Sequence, residues 1–443
     1  MTPKPRVQIE DQSPGIREGD LSGQRRSGSP LTPQPPALKP IAFVIPWYGE
    51  NLIGGAERAC RELVEHLHQK GITTEVLTTC ARDFYLWENF YAEGTYEIHG
   101  VTVRRFEVDP RDQRCFDRIN LKILRGDPLT VDEAQSFVEE MINSRGLYDY
   151  IAKHRERYLF IFTPYLFSTT YWGSWMAPEN SFIIPCLHEE NYLNLIGYRR
   201  ALERVRRLIL YAEPEKQLAE RILDLKREPV VLGLGVDLRA DVDGSRFREK
   251  FSLKEDFIFC PGRKLPEKNT PLLIDYFSRY KARYPTPLKL VLSGGGEVSI
   301  PEALRQDVLD LGFLSETDKY DAFAAATLTC QPSVHESFSY VLMESWVCKT
   351  PVLVHARCAV TSDHCRRSQG GLFFQSYQEF EEGIRFFLTH PDLRRRMGEN
   401  GHRYVAENFQ WDRVLERFVA ILRAEDPAHR PHRKPGSLAY LAG

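Results

Sequence analysis

Between Ala326 and Val354 the chain passes from an apolar run, Ala326-Thr327-Leu328-Thr329-Cys330, through a polar loop into a helical stretch. Past Thr350-Pro351 it enters a second apolar run, Val352-Leu353-Val354. Strand, tight loop, helix and strand in that order read as a βαβ unit, which implies a parallel sheet with helices on its faces. Loop and helix carry two acids eight positions apart, Glu336 and Glu344. With a helix starting near Phe338, Glu336 stands ahead of its N-terminus and Glu344 about two turns in, roughly 10 Å apart at the helical rise per residue. At the carboxyl edge of an open α/β sheet such a helix start collects anions, because its first N–H groups are unpaired and its dipole is positive there. A diphosphate at the helix end would lie between groups that each acid can reach, a spacing that suits a sugar nucleotide. Two solvated glutamates on an ordinary helix would give the same pattern; the βαβ setting is what favours a ligand.

The same alternation fills the rest of the chain. Ile41-Ala42-Phe43-Val44-Ile45-Pro46 reads as a buried strand, followed by Gly54-Gly55 and a helix in which Ala56, Ala59, Leu63, Val64 and Leu67 recur at helical spacing, with Gly71 at its end. Further strands are expected at 74–79, 101–106, 159–163, 181–187, 208–212 and 229–232, the last running into Gly233-Leu234-Gly235-Val236-Asp237. That glycine-bearing exit and the polar stretch after it divide the chain. A second series then follows: strands at 257–262, 288–293, 309–313 and 327–331, with a helix over 271–283. The expected architecture is α/β, with two Rossmann-like doubly wound domains facing across a cleft, over 41–237 and 238–410. A helix over 411–423 would return to the first domain, leaving tails at 1–40 and 424–443. Residues 1–40 hold eight prolines and few aliphatic residues, which predicts a disordered lead-in without the apolar core of a signal peptide.

Composition removes several classes of function. Lys plus Arg number 59 against 61 Asp plus Glu, so no global field favours nucleic acid. The nine cysteines are scattered without a C-x-x-C pair and read as reduced thiols of a cytoplasmic protein. No apolar stretch reaches the ~20 residues of a spanning helix. The basic run Arg199-Arg200, Arg204, Arg206-Arg207 reads first as a solvated helix face, with attraction to an anionic membrane surface as the minor alternative. Local cations matter more: Arg263, Lys264 and Lys268 follow the strand at 257–262, where guanidinium and ammonium groups can grip phosphate oxygens. Gly54-Gly55 marks either a close approach to a ligand or a turn that a Cβ would forbid. His188 ends an apolar run and on its own reads as structural.

Together these residues resemble the retaining, metal-independent glycosyltransferases of family 4, which have the GT-B fold, over roughly residues 41 to 423. The marks are Gly54-Gly55-Ala56-Glu57, Gly262-Arg263 with Lys268-Asn269, the pair Glu336 and Glu344, Thr350-Pro351-Val352, and the tail motifs His390-Pro391, Met397-Gly398, Gly401 and Phe409-Gln410-Trp411. The resemblance implies that Arg263 and Lys268 hold a donor diphosphate with Gly54 and Gly55 close by, and that backbone N–H groups of Phe338, Ser339 and Tyr340 meet its phosphates. Glu344 would accept from the ribose hydroxyls, the base would lie near Phe313 and Leu314, and Glu336 and His188 would stand at the transferred sugar as the catalytic pair. It implies a hexose moved from a nucleoside diphosphate sugar to a hydroxyl acceptor, a glycan, lipid-linked glycan or small molecule, in polysaccharide biosynthesis. The protein would be cytoplasmic or at the inner membrane face, with no cofactor or metal. No D-x-D motif flanked by a strand stands where a metal would be held. A non-catalytic nucleotide-sugar-binding subunit and a sugar-nucleotide epimerase on the same frame are the alternatives, and oligomeric state leaves no mark in the pattern. Two departures stand out: Ser337 and Ser339 replace glycines common in the family, and Lys349 replaces a third.

Overall fold

The computed structural model describes residues 38–50 and 54–426. The apolar runs become two sheets. Strands β1 (Ile41–Val44), β2 (Thr74–Thr79), β3 (Gly94–Ile98), β4 (Val101–Phe106), β5 (Leu159–Phe162), β6 (Ser181–Ile183), β7 (Arg207–Leu210) and β8 (Val230–Val231) form the first, in the order β3-β4-β2-β1-β5-β6-β7-β8. The second contains β9 (Phe257–Pro261), β10 (Lys289–Ser293), β11 (Val308–Asp310), β12 (Leu328–Gln331), β13 (Val352–His355) and β14 (Gly371–Phe374), in the order β11-β10-β9-β12-β13-β14. All pairings are parallel except β3 with β4. In each sheet the strand order reverses beside its first strand, at β1/β5 and at β9/β12. Such reversals open the crevices where α/β sheets take ligands.

Burial explains why the strands read as unbroken apolar runs. Along β1, Ile41 and Phe43 face one core and Ala42 and Val44 the other, and all four are buried. The helix Gly55–Gln69 covers one face with Ala59, Cys60, Leu63, Val64 and Leu67, four of the five periodic positions among them, and Gly71 follows it at φ +73°. The edge strand β3 was invisible in the sequence for the complementary reason: its residues Gly94–Glu97 are exposed and show no apolar run. The helices Gln113–Arg125, Val131–Glu139 and Arg145–Lys153 likewise fall between the strands expected at 101–106 and 159–163, where no element is expected.

Several boundaries differ from expectation. The helix after β12 spans Tyr340–Val347 rather than starting near Phe338, because Ser339 takes a left-handed conformation (φ +73°, ψ +86°) that no helix can include. The strand expected at 229–232 is confined to Val230–Val231. The last helix runs over Trp411–Glu425, so residues 424 and 425 of the expected tail belong to it. Buried Glu425 ends it in ion pairs with Arg206, Arg207 and Arg227. Arg206 and Arg207 are thereby removed from the solvated basic face, and Arg204 lies over Trp175. At the other end, Pro40 C=O accepts from Leu159 N–H, tying it to the sheet. The remaining tail residues, 1–37 and 427–443, lie outside the described residues.

The chain crosses between the sheets twice, and the crossings touch. Val236 N–H donates to Phe409 C=O at 2.7 Å. A Cβ on Gly235 would stand 2.1 Å from the Trp411 ring, and Gly233 adopts φ +77° against Phe409, so the aromatic residues lie directly on glycine backbone. The returning helix then stacks Phe418 on Phe43 of β1, with ring centroids 6.1 Å apart.

Candidate active site

The strand ends at both reversal points converge on one cavity of about 470 Å³. From the first sheet it is lined by Gly54, Gly55, Arg58 and His188, and from the second by Arg263, Lys268, Phe313, Glu336, Phe338, Ser339, Tyr340 and Glu344. Of the site residues expected from sequence, Leu314 alone is missing from this lining. It packs instead with the apolar cluster around Phe247 and Phe323. Phe313, 64% exposed, stands over Gly295, whose absent Cβ would lie 2.8 Å from its ring.

Neither Gly54 nor Gly55 is in a left-handed turn, since Gly54 is extended at φ −177°. Space is the reason left for glycine: a Cβ on Gly55 would meet no atom within 4 Å and would project into open volume. Gly262 also has open space beside it, at φ +129°, and Gly294 packs against its carbonyl so closely that a Cβ would fall 2.2 Å away.

The cations divide by role. Lys264 is buried and spent on structure, its Nζ donating to Gly294 C=O and to Asp310 at 2.7 Å each. Lys268 Nζ lies 2.7 Å from Glu336 Oε1. Arg263 has no ion-pair partner among the described residues. Two partly exposed cations thus sit on the loop after β9, across from the helix beginning at Tyr340.

Glu344 belongs to a knot that no sequence pattern announced. Its carboxylate is buried and takes Arg58 Nη1 at 2.6 Å and Lys319 Nζ at 3.0 Å. Arg58, from the helix of the first sheet, also pairs with Glu62 at 2.7 Å and lies 4.0 Å over the Tyr340 ring, while Tyr340 Oη donates to Glu62. Burial alone would push the Glu344 carboxyl up; Lys319 and Arg58 outweigh it and hold it below the usual range. Arg58 and Lys319 are the residues that sequence reasoning missed. The only available signal for Arg58 was its place one turn beyond Gly54-Gly55.

Phe338 lines the cavity, yet its ring is core, packed at 5.1 Å on Phe409 and 5.6 Å on His364. Ser339 is buried, its hydroxyl has no partner among the described residues, and its left-handed backbone carries the strain that glycine would avoid. Ser339→Gly is expected to stabilise the fold by roughly 1 kcal/mol. Relief of about 1–2 kcal/mol of left-handed strain exceeds the added flexibility cost of glycine, about 0.5–1 kcal/mol. An unchanged or lower urea midpoint would refute that account.

His188 faces His335 across the cavity, ring centroids 5.7 Å apart. Its loop is pinned by Glu215, which accepts from Leu187 N–H at 2.6 Å and Tyr211 N–H at 2.7 Å. Burial first, then His335 and Lys268, push its pKa down to about 3, so its imidazole is neutral at physiological pH. His364, fully enclosed, is likewise pushed to about 3 by burial and Arg367. Both folded values lie below the unfolded value near 6.5, so the unfolded chain binds more protons between them. Stability is therefore full above pH ~6.5 and is lost as pH falls toward 3, by up to about 1.4 kcal/mol per pH unit for buried His364. Urea midpoints at pH 7 and 5 in His364→Gln should differ less than in the wild type.

Among the described residues no group of His, Cys, Asp or Glu could hold a metal ion, and no helix is long and apolar enough to cross a membrane. Residues 241–404 match the family described as glycosyl transferases group 1. The D-inositol 3-phosphate glycosyltransferase of Gordonia bronchialis is 28% identical over 52% of this chain and 55% of its own, and the chain spans about half the length of the first curated relatives it matches. A longer alignment, with the enzyme of the same name from Geodermatophilus obscurus, is 26% identical over 88% of this chain and 90% of that one. Among solved structures, Anabaena HepE in complex with UDP-glucose superposes over 87% of this chain and all of its own, with a TM-score of 0.63 at 16% identity. The two sheets with their shared cavity are thus the two Rossmann-like domains of the GT-B glycosyltransferase fold, and residues 241–404 carry the match to glycosyl transferases group 1.

Proposed function

We propose that the protein is a retaining glycosyltransferase that moves a hexose from a uridine diphosphate sugar to a hydroxyl acceptor without a metal. The observation that carries this reading is the convergence of Arg263, Lys268 and the start of the helix Tyr340–Val347 on one side of a cavity bounded by both sheets. Three sources of positive charge around one space fit a diphosphate. The UDP-glucose held by HepE supports the choice of donor, and the relatives' activity as D-inositol 3-phosphate glycosyltransferases supports glycosyl transfer.

On this reading residues 41–237 form the acceptor domain and 238–410 the donor domain, with closure about Gly233–Asp237 and the return helix. The diphosphate takes hydrogen bonds from Arg263, Lys268, the backbone N–H groups of Ser339 and Tyr340, and the unpartnered Ser339 hydroxyl. The ribose hydroxyls donate to Glu344, and the base stacks by Phe313. Glu336 and neutral His188 accept from or donate to the hexose hydroxyls and fix the anomeric carbon. In the transfer, the bond from anomeric carbon to phosphate oxygen breaks, the acceptor oxygen bonds to that carbon from the same face, and the departing phosphate oxygen takes the acceptor proton. The cations and helix end stabilise the charge that develops on the leaving group, an effect that can supply several kcal/mol. The acceptor is a glycan, a lipid-linked glycan or a small hydroxyl compound.

Calorimetric titration of UDP, GDP, ADP and dTDP, with and without EDTA, tests the donor. UDP should bind tightly and indifferently to EDTA. Binding of none of the four overturns the reading, and loss of UDP binding in EDTA overturns its metal-independent part. The anomeric configuration of the product, read by NMR, decides retention.

A further inference from the structure

A second cavity, of about 570 Å³, opens on the first sheet between the loops after β1 and β2. Its wall includes Phe84, Tyr85 and Phe90, which are 50%, 74% and 61% exposed. Large rings left in water at one concave place are uncommon on a protein surface and mark a contact region. These rings are held in position. Phe84 meets Trp47 edge-on at 5.9 Å, and Arg82 lies 5.1 Å over Phe90.

Polar groups stand among the rings. Asp83 is paired with Arg82 at 2.8 Å, and Glu57 accepts from Trp47 Nε1 at 2.8 Å. Arg105, buried at 3% exposure, donates to Tyr48 C=O and Thr79 C=O and lies 3.9 Å over the Tyr91 ring. No carboxylate pairs with it among the described residues, and burial pulls its pKa down. A surface built to enter lipid would keep carboxylates and guanidinium groups out of its apolar tip, because carrying them into hydrocarbon costs several kcal/mol each. Aromatic faces mixed with both acceptors and donors match the surface of a sugar ring, whose C–H faces are apolar and whose rim is all hydroxyl.

Position ties this cavity to the first. Gly54 lines the donor cavity, and a Cβ added to it would strike the Glu57 carboxylate at 1.9 Å, while Glu57 lines the second cavity. The turn that opens the helix Gly55–Gln69 is thus the partition between them.

We propose that this second cavity is a carbohydrate subsite that holds a pyranose ring of the acceptor, stacked on Phe84, Tyr85 and Phe90 and hydrogen-bonded by Glu57, Asp83 and Arg105. The assignment of that ring to the acceptor rests on the glycosyltransferase reading; the presence of a sugar-binding cavity does not.

Saturation-transfer NMR with the methyl pyranosides of glucose, galactose and mannose tests it. At least one should show transfer to its ring C–H protons, reduced at least fivefold in Phe84→Ala/Tyr85→Ala/Phe90→Ala, which removes exposed rings only. UDP affinity, measured by calorimetry on the same samples, should be unchanged by the triple substitution. No transfer to any of the three, or transfer unaffected by the substitution, overturns the subsite. Co-sedimentation with phosphatidylglycerol–phosphatidylethanolamine vesicles that is lost in the triple variant, without pyranoside transfer, would replace the sugar by a membrane. Failure of UDP binding with ring stacking intact would overturn the donor reading and leave the subsite standing.

Discussion

Arg263→Ala and Lys268→Ala should each lower UDP release from UDP-glucose, as kcat/KM, by roughly 10²–10³-fold, the effect of removing one pre-placed charge from a developing anion. The two substitutions should differ in their remedy. Arg263 has no ion-pair partner among the described residues, so its loss leaves nothing else disturbed. Lys268 is paired with Glu336 at 2.7 Å, and its loss leaves that carboxylate uncompensated beside the proposed diphosphate position. Glu336→Gln added to Lys268→Ala should therefore recover UDP affinity, read by calorimetry, without recovering turnover. If the double variant binds UDP no better than Lys268→Ala, the two residues do not share the diphosphate and the assignment of Lys268 to it fails.

Glu344→Ala should have the largest effect on stability, about 3–5 kcal/mol, because it leaves two cations facing each other at a buried site. Arg58 lies 2.6 Å and Lys319 3.0 Å from the same carboxylate oxygen. UDP binding should fall as well if Glu344 accepts from the ribose hydroxyls as proposed. Arg58→Met separates the two roles: it cuts the tie between the sheets while Lys319 still neutralises Glu344, so UDP affinity should persist. A urea midpoint for Glu344→Ala within experimental error of the wild type would show the pairs to be solvent-screened and the knot to be unimportant.

Some elements were legible because one physical cause acts locally. The strand β1 and the helix Gly55–Gln69 are buried on defined faces, so their apolar spacing is written in consecutive residues. The strand β3 is exposed on the sheet edge and wrote nothing. The helix start was misplaced by two residues because a left-handed serine, not a glycine, breaks the chain at 339, and serine gives no warning of positive φ. At the site, Arg263, Lys268, Glu336 and His188 were nameable as strand-end polar residues after apolar runs, and Glu344 by its spacing of eight positions from Glu336 on the following helix. Leu314 was not distinguishable from Phe313, since one faces the cavity and the next packs in the core.

By itself, then, the sequence determined the alternation of strands and helices, the doubling of the α/β unit, and the charged loops at strand ends, because each depends on residues within about a dozen positions of one another. The tertiary structure alone decided the partners. Arg58 reaches Glu344 across 286 positions, and Arg105 lies buried among aromatic rings with no carboxylate mate among the described residues. Such pairs are set by the packing of two sheets through crossings at Gly235 and Trp411, and a charge carries no local periodicity that would say which distant charge it meets.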